Sequence, residues 1–298
     1  IYDSSAANVI NLGTIKQSLA AITSTIQVTN FSNAAGATLS TTAGTTTLNS
    51  TTWSNAGTLD VSGGIMNLSG TNATNTGGFN LSNGTLNLGG TLATPVLGSF
   101  TRTGGLVNIT GVLNNAGQTL DIGSAGVFGP GGLNNVSGTI LGGTLISTDG
   151  TVLTTASTPI LNGVTLGNAG NLNLTINGSL YVSNGITLAN GAIVSKDSGI
   201  WYWNSTGTQT LGVAGGGTAF KRDHRLALGL CGTHQCGCGI HILLSEADGR
   251  MLRACAAQGR LHGSRNDLAQ VFRVGGIAHG MADEADELGF GFLQVCRD

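Results

Sequence analysis

Charge is scarce in this chain of 298 residues: 9% are Asp, Glu, Lys or Arg, and the formal net charge is -2. Nucleic acid and anionic membranes both call for a basic surface, so neither fits as the main partner. No apolar run approaches twenty residues, which excludes a membrane-spanning helix and argues against direct membrane insertion. A basic n-region followed by an apolar h-region is missing as well. The chain starts at Ile1 rather than Met and reads as a piece of a longer protein, with any export signal outside it. Histidine and cysteine are both absent up to Phe220, so no Ser-His-Asp arrangement exists there. Acids are few over the same stretch: Asp3, Asp60, Asp121, Asp149 and Asp197. The bases are Lys16, Arg102 and Lys196.

What is abundant is glycine, 50 residues of it, set among 40% hydrophobic residues. That is too apolar for a disordered chain. The stretch from Gly64 to Val112 repeats one phrase three times: Gly64-Ile-Met-Asn-Leu-Ser-Gly-Thr71, Gly84-Thr-Leu-Asn-Leu-Gly-Gly-Thr91 and Gly105-Leu-Val-Asn-Ile-Thr-Gly-Val112. The starts lie 20 and 21 residues apart. A period near twenty with strand alternation marks a solenoid. In a strand, successive side chains face opposite sides. Met66 and Leu68, Leu86 and Leu88, and Val107 and Ile109 therefore point into a core. Asn67, Asn87 and Asn108 point out and stack as an amide ladder. The glycines supply corners with positive φ.

A second word supports the register. Asn55-Ala-Gly57, Asn75-Thr-Gly77, Asn115-Ala-Gly117 and Asn168-Ala-Gly170, with the looser Asn33-Ala-Ala-Gly36, each precede an apolar run. They read as corners in which Asn and Gly tolerate left-handed backbone. Regular coils are expected from about residue 31 to 128, with two weaker strands before them, at Ala7 to Leu12 and Ile22 to Val28. Gly129-Pro-Gly-Gly132 is a turn, after which the pattern resumes from Leu133 to Val194. Trp201-Tyr-Trp203 sits where the pattern stops. It reads as an aromatic plug over the last coil, with a sugar-stacking platform as the functional alternative.

Ser99-Phe-Thr-Arg-Thr-Gly-Gly-Leu-Val-Asn-Ile-Thr-Gly-Val-Leu-Asn-Asn-Ala-Gly-Gln-Thr-Leu120 resembles a repeat unit of large bacterial surface exoproteins, the filamentous-haemagglutinin-like and autotransporter-passenger-like adhesins. Leu161-Asn-Gly-Val-Thr-Leu166 and Gly207-Thr-Gln-Thr-Leu211 are similar to other segments of such repeats. The resemblance covers about residues 31–215. It implies an all-β, right-handed parallel β-helix, an extracellular or outer-surface location, and a structural or adhesive role. The sequence lacks a recognisable secretion domain at its start and a membrane barrel at its end, so the resemblance leaves the secretion route open.

Parallel β-helices also include polysaccharide lyases and hydrolases, the main enzymatic alternative. Such catalysis needs clustered carboxylates to move protons and stabilise charge. Asp60 and Asp121 occupy matching contexts, Thr58-Leu-Asp-Val61 and Thr119-Leu-Asp-Ile122, but lie three coils apart, roughly 14 Å along the axis. A hydrolase pair sits about 5–9.5 Å apart. Lys196-Asp197 reads as a solvated pair in a turn. Turns such as Ser62-Gly-Gly64 lack the Gly-Lys-Ser/Thr ending of a phosphate loop. No catalytic, cofactor or metal site is expected in the solenoid. Its partners are expected to be glycans or other surface solenoids.

Composition changes abruptly at Lys221, which divides the chain into a solenoid over residues 1–220 and a tail over 221–298. The tail holds all five cysteines, all five histidines and nine of the twelve Lys and Arg. Ser245-Glu-Ala-Asp248 and Ser264-Arg-Asn-Asp267 resemble helix starts, which would make Met251 to Ala257 and Leu268 to Val274 helical. Cys231, His234, Cys236, Cys238 and His241 form a metal-like cluster. The Cys236-Gly-Cys238 spacing is too tight for the common zinc pattern, and five cysteines leave one unpaired by disulfides. A frameshift or fusion after Phe220 is a further explanation of the change. A solenoid with a metal-binding tail stays open beside the scaffold and the enzyme.

Overall fold

A computed structural model describes residues 1, 7–167, 173–189, 192–196, 198–203, 211–213, 218–219, 228–229, 241–245 and 251–255. It is a parallel β-solenoid of about nine turns. The alternation of the repeat becomes three faces of stacked short strands. The first carries Asn8–Asn11, Asn30–Asn33, Thr52–Asn55 and Asn72–Asn75. The second carries Thr14–Gln17, Thr38–Thr41, Thr58–Val61, Gly78–Leu81 and Ser99–Arg102. The third carries Thr23–Ile26, Thr45–Asn49, Ile65–Ser69, Thr85–Leu88, Leu106–Ile109 and Asn135–Val136. Beyond a short 3-10 helix at Thr94–Leu97, a further sheet runs from Thr91–Ala93 through Ile160–Leu166 and Leu180–Leu188 to Trp201–Trp203.

Like stacks on like, as the repeat predicts. Leu86 pairs with Met66 and Val107, Asn87 with Asn67 and Asn108, and Leu88 with Leu68 and Ile109. The six aliphatic residues assigned inward, Met66, Leu68, Leu86, Leu88, Val107 and Ile109, are all buried, whereas Ile65 and Leu106 on the outer side are exposed. The three asparagines are half-buried on the outer side. Burying this continuous aliphatic column, at about 25 cal/mol per Å2 of apolar surface, is what a single coil cannot achieve alone.

The glycine corners are needed twice over. Gly44, Gly64, Gly84 and Gly105 have φ of 63°, 66°, 103° and 72°. A Cβ on Gly84 would lie 2.6 Å from Gly64 O, and one on Gly105 would lie 2.8 Å from Gly84 O. The corner backbones stack too closely for any side chain.

Three readings change. The asparagines of the Asn-x-Gly word do not adopt left-handed backbone, since neither Asn33, Asn55, Asn75 nor Asn115 has a positive φ. Asn33, Asn55 and Asn75 end strands, Asn115 follows the strand Val112–Asn114, and all four turn inward; Asn168 lies outside the described residues. Trp201–Trp203 is not a terminal plug but a rung: it pairs with Leu180–Val182 on one side and Leu228–Gly229 on the other. Met251–Cys255 is a strand, not a helix, paired antiparallel with His241–Ser245. Its alternation of Met251, Arg253 and Cys255 with Leu252 and Ala254 suits a strand as well as it suits a helix turn. The second expected helix, at 268–274, lies outside the described residues.

Because coils contact only their neighbours, removing residues 221–298 is expected to leave the β-type circular dichroism spectrum and a cooperative melt. The expected change is fraying near Trp201–Trp203. Loss of the whole transition would show that the tail is an essential cap.

Candidate functional site

The outer faces carry rows of hydroxyl and amide groups. On the third face, Asn108 Nδ2 donates to Asn87 Oδ1 at 2.9 Å, Asn87 Nδ2 to Asn67 Oδ1 at 2.7 Å, and Asn67 Nδ2 to Thr47 Oγ1 at 3.4 Å. On the first face, Asn30 Nδ2 donates to Asn8 Oδ1 at 2.5 Å and Ser54 Oγ to Ser32 Oγ at 3.0 Å. An amide has two N–H donors and two acceptor lone pairs. One N–H lies along each rung, which leaves the amide able to meet a ligand from outside.

An inner amide ladder escapes sequence reading. Asn11 Nδ2 donates to Asn33 Oδ1 at 2.8 Å, Asn33 Nδ2 to Asn55 Oδ1 at 2.7 Å, and Asn55 Nδ2 to Asn75 Oδ1 at 2.8 Å. Asn33 is fully buried, and its Nδ2 also donates to Thr58 O at 3.1 Å and Ala37 O at 3.3 Å. These bonds to backbone fix which way the amide points. Asn115, also fully buried, accepts from Thr94 Oγ1 at 2.8 Å and donates to Thr144 O at 3.2 Å. The inner amides are therefore structural, holding corner carbonyls that the turn would otherwise leave unpaired.

Asp60 and Asp121 are held by separate sets of donors. Asp60 Oδ2 accepts from Ser40 Oγ at 2.8 Å and Ser62 Oγ at 3.2 Å. Asp121 accepts from Gly123 N at 2.8 Å and from the Thr148 hydroxyl. The carboxylate that approaches Asp121 is instead Asp149. A Cβ on Gly123 would collide with Asp149 Oδ1 and come within 3.1 Å of Asp121 Oδ1, so both carboxylates flank this one turn. The two positions lie about one coil apart once the coil is lengthened, a signal that a strict twenty-residue period hides.

Asp149 accepts from Thr151 Oγ1 at 2.7 Å, Ser124 N at 2.8 Å and Thr151 N at 2.9 Å. Those bonds, the Thr151 hydroxyl foremost, hold its carboxyl below the ordinary carboxylate range. A depressed folded-state value adds stability above the ordinary pKa. That contribution fades as the pH falls through the folded value.

The lengthening comes from a loop between residues 121 and 135, where the ladder step from Asn108 to Asn135 grows to 27 residues. Arg102 anchors this loop. It stands in the inward column of Val61 and Leu81, and it is buried. Its Nη2 donates to Gly105 O at 2.6 Å and Asn134 Oδ1 at 2.7 Å, its Nε to Gly104 O at 3.1 Å, and its Nη1 to Gly132 O and, at 3.5 Å, Phe128 O. All five acceptors are neutral. Burial pulls the guanidinium below its usual value. Phe128 packs edge-on against Phe100, which stacks on Phe79 at 4.7 Å. Arg102→Met is expected to cost about 2 kcal/mol: it strands buried carbonyls but also removes a desolvated charge. Urea melts measure it, and an unchanged midpoint would remove Arg102 as the anchor.

A cleft of about 190 Å3 opens at the first coil, lined by Ile15, Lys16, Gln17, Ser24, Ile26 and Leu39 among others. It is smaller than ligand pockets of roughly 300–1,000 Å3, and no carboxylate is among its described lining residues. Among the described residues no group of three or more His, Cys, Asp and Glu could hold a metal. Cys231, His234, Cys236 and Cys238 lie outside the described residues, as does Asp197, and His241 begins a strand. Compared with protein-family models, curated proteins and solved structures, the chain matches none.

Proposed function

We propose that the chain is a non-enzymatic extracellular scaffold, part of a large bacterial surface exoprotein of the filamentous-haemagglutinin-like or autotransporter-passenger-like kind. It binds neutral glycans, or other solenoids, through weak and repeated contacts. The observation that carries this reading is the outward Asn67–Asn87–Asn108 ladder. It sets identical uncharged donors and acceptors at the coil spacing of about 4.8 Å. Repeated weak contacts along such a row sum by avidity. With few charges taking part, binding should depend little on salt.

A second reading is a carbohydrate-active enzyme, and the approach of Asp121 and Asp149 favours it. In such an enzyme Asp149, whose carboxyl is held below the ordinary range, would be the ionised partner and not the general acid. A glycan array combined with a polysaccharide-cleavage assay separates the two. The scaffold reading expects binding that survives raised salt, and no turnover. Turnover lost on Asp121→Asn or Asp149→Asn would replace it with the enzyme.

A further inference from the structure

The outward column of the longest sheet ends in aromatic rings. Leu180 pairs with Trp201, Tyr181 with Tyr202 and Val182 with Trp203. Leu180, Val182 and Trp201 are buried, so alternation turns Tyr181 and Tyr202 outward. Their ring centroids lie 5.1 Å apart with a tilt of 37°. Beneath Tyr181 the column continues as Ile160, Thr139 and Val112. Above Tyr202 the paired residue is Gly229. Tyr181 is thus covered on one side by Ile160 and on the other by Tyr202. Tyr202 has a partner ring on one side and a residue without a side chain on the other.

The next outward column is polar and uncharged. Asn162 pairs with Ser183, and the exposed Asn184 donates through Nδ2 to Asn162 Oδ1 at 2.7 Å. Asn184 reaches this position because the strand carries a bulge there, with Asn184 at φ 54°. Ser183 is a diagonal neighbour of Tyr202, about 7–8 Å away in a sheet. An aromatic face beside neutral amide and hydroxyl groups, with no carboxylate or ammonium among the described residues of either column, matches one class of ligand. The C–H face of a pyranose lies on the ring, and its hydroxyls reach the amides.

We propose that the face of Tyr202 above Gly229, backed by Tyr181, is a stacking site for one neutral pyranose unit of a polysaccharide, with Ser183, Asn184 and Asn162 bonding its hydroxyls. This rests on the glycan-binding reading and gives it a specific place. Affinity gel electrophoresis of the full chain in dextran, galactomannan and xyloglucan tests it, with circular dichroism melts as the control for folding. At least one of these polymers is expected to retard the wild type. Tyr202→Ala should weaken that retardation about tenfold, the factor corresponding to one aromatic stack. Tyr202→Phe should keep it, because the ring remains. Gly229→Leu, which leaves every tyrosine in place, should weaken it by occupying the space over the ring. Asn184→Ala, an exposed change that should not disturb folding, should weaken it to a smaller degree. If the wild type is retarded and the Tyr202→Ala and Gly229→Leu proteins match it, this site is wrong while glycan binding stands. Retardation by none of the three polymers, together with a blank glycan array, overturns both.

Discussion

Leu88→Asp is expected to destabilise the solenoid by about 4 kcal/mol or more, enough to remove a cooperative transition from a chain of ordinary stability. Leu88 is 2% exposed and stands in the inward column Ile26, Leu48, Leu68, Leu88, Ile109, Val136. A carboxylate there has an aliphatic rung above and below it. Asn87→Ser, one residue away, is expected to cost only about 1 kcal/mol. Asn87 is half-exposed, and a serine hydroxyl remains able to bond to water. The two urea midpoints measure the pair. Equal losses would mean that the inner and outer faces are exchanged, because a shift of one residue turns every side chain of a strand to the other side.

Asn33→Leu is the second large effect, expected at about 3–5 kcal/mol. The replacement has similar volume and is apolar, so a purely hydrophobic corner would tolerate it. Here it deletes two rungs of the inner ladder and two bonds to backbone. Asn11 Nδ2 keeps Thr38 O at 3.0 Å, but Asn55 Oδ1 and Thr58 O lose their bonds to Asn33 in the interior. Each buried polar group left alone costs about 1–3 kcal/mol. Asn87→Ser and Asn33→Leu both alter a ladder amide, yet the expected losses differ severalfold. Thermal melts that fall together for the two variants would show that the inner ladder holds nothing in particular.

The outer register was legible because two cues agree in the repeated phrase. Alternation assigns Met66, Leu68, Leu86 and Leu88 inward, and the period assigns Asn87 to stack on Asn67. The inner ladder was not legible, because Asn in a corner word invites the backbone explanation. Nothing local distinguishes a left-handed Asn from one that turns its amide inward. Arg102 is harder still. A basic residue at the position of Leu81 breaks the apolar pattern of its column, and only the loop folded over it supplies the five oxygens that make burial tolerable. The approach of Asp149 to Asp121 depends on the same loop, which stretches one coil and takes the two acids out of the regular period. For Tyr202, sequence proximity to two tryptophans suggested a hydrophobic plug. The ladder instead separates the three rings, sending Trp201 inward and Tyr202 outward.

Both the buried core and the outward binding rows require like side chains to stand in columns along the axis. Nitroxide labels at Thr25→Cys and Asn108→Cys, with the five native cysteines changed to serine, test that directly by pulsed electron resonance. The two positions belong to one outward column through Thr47, Asn67 and Asn87. Four coil steps predict a narrow distance distribution centred at roughly 19 Å, widened slightly by the label arms. A broad distribution, or one centred beyond about 30 Å, where no stack of four coils at strand spacing can place the labels, would contradict the stacked solenoid and the binding rows built on it.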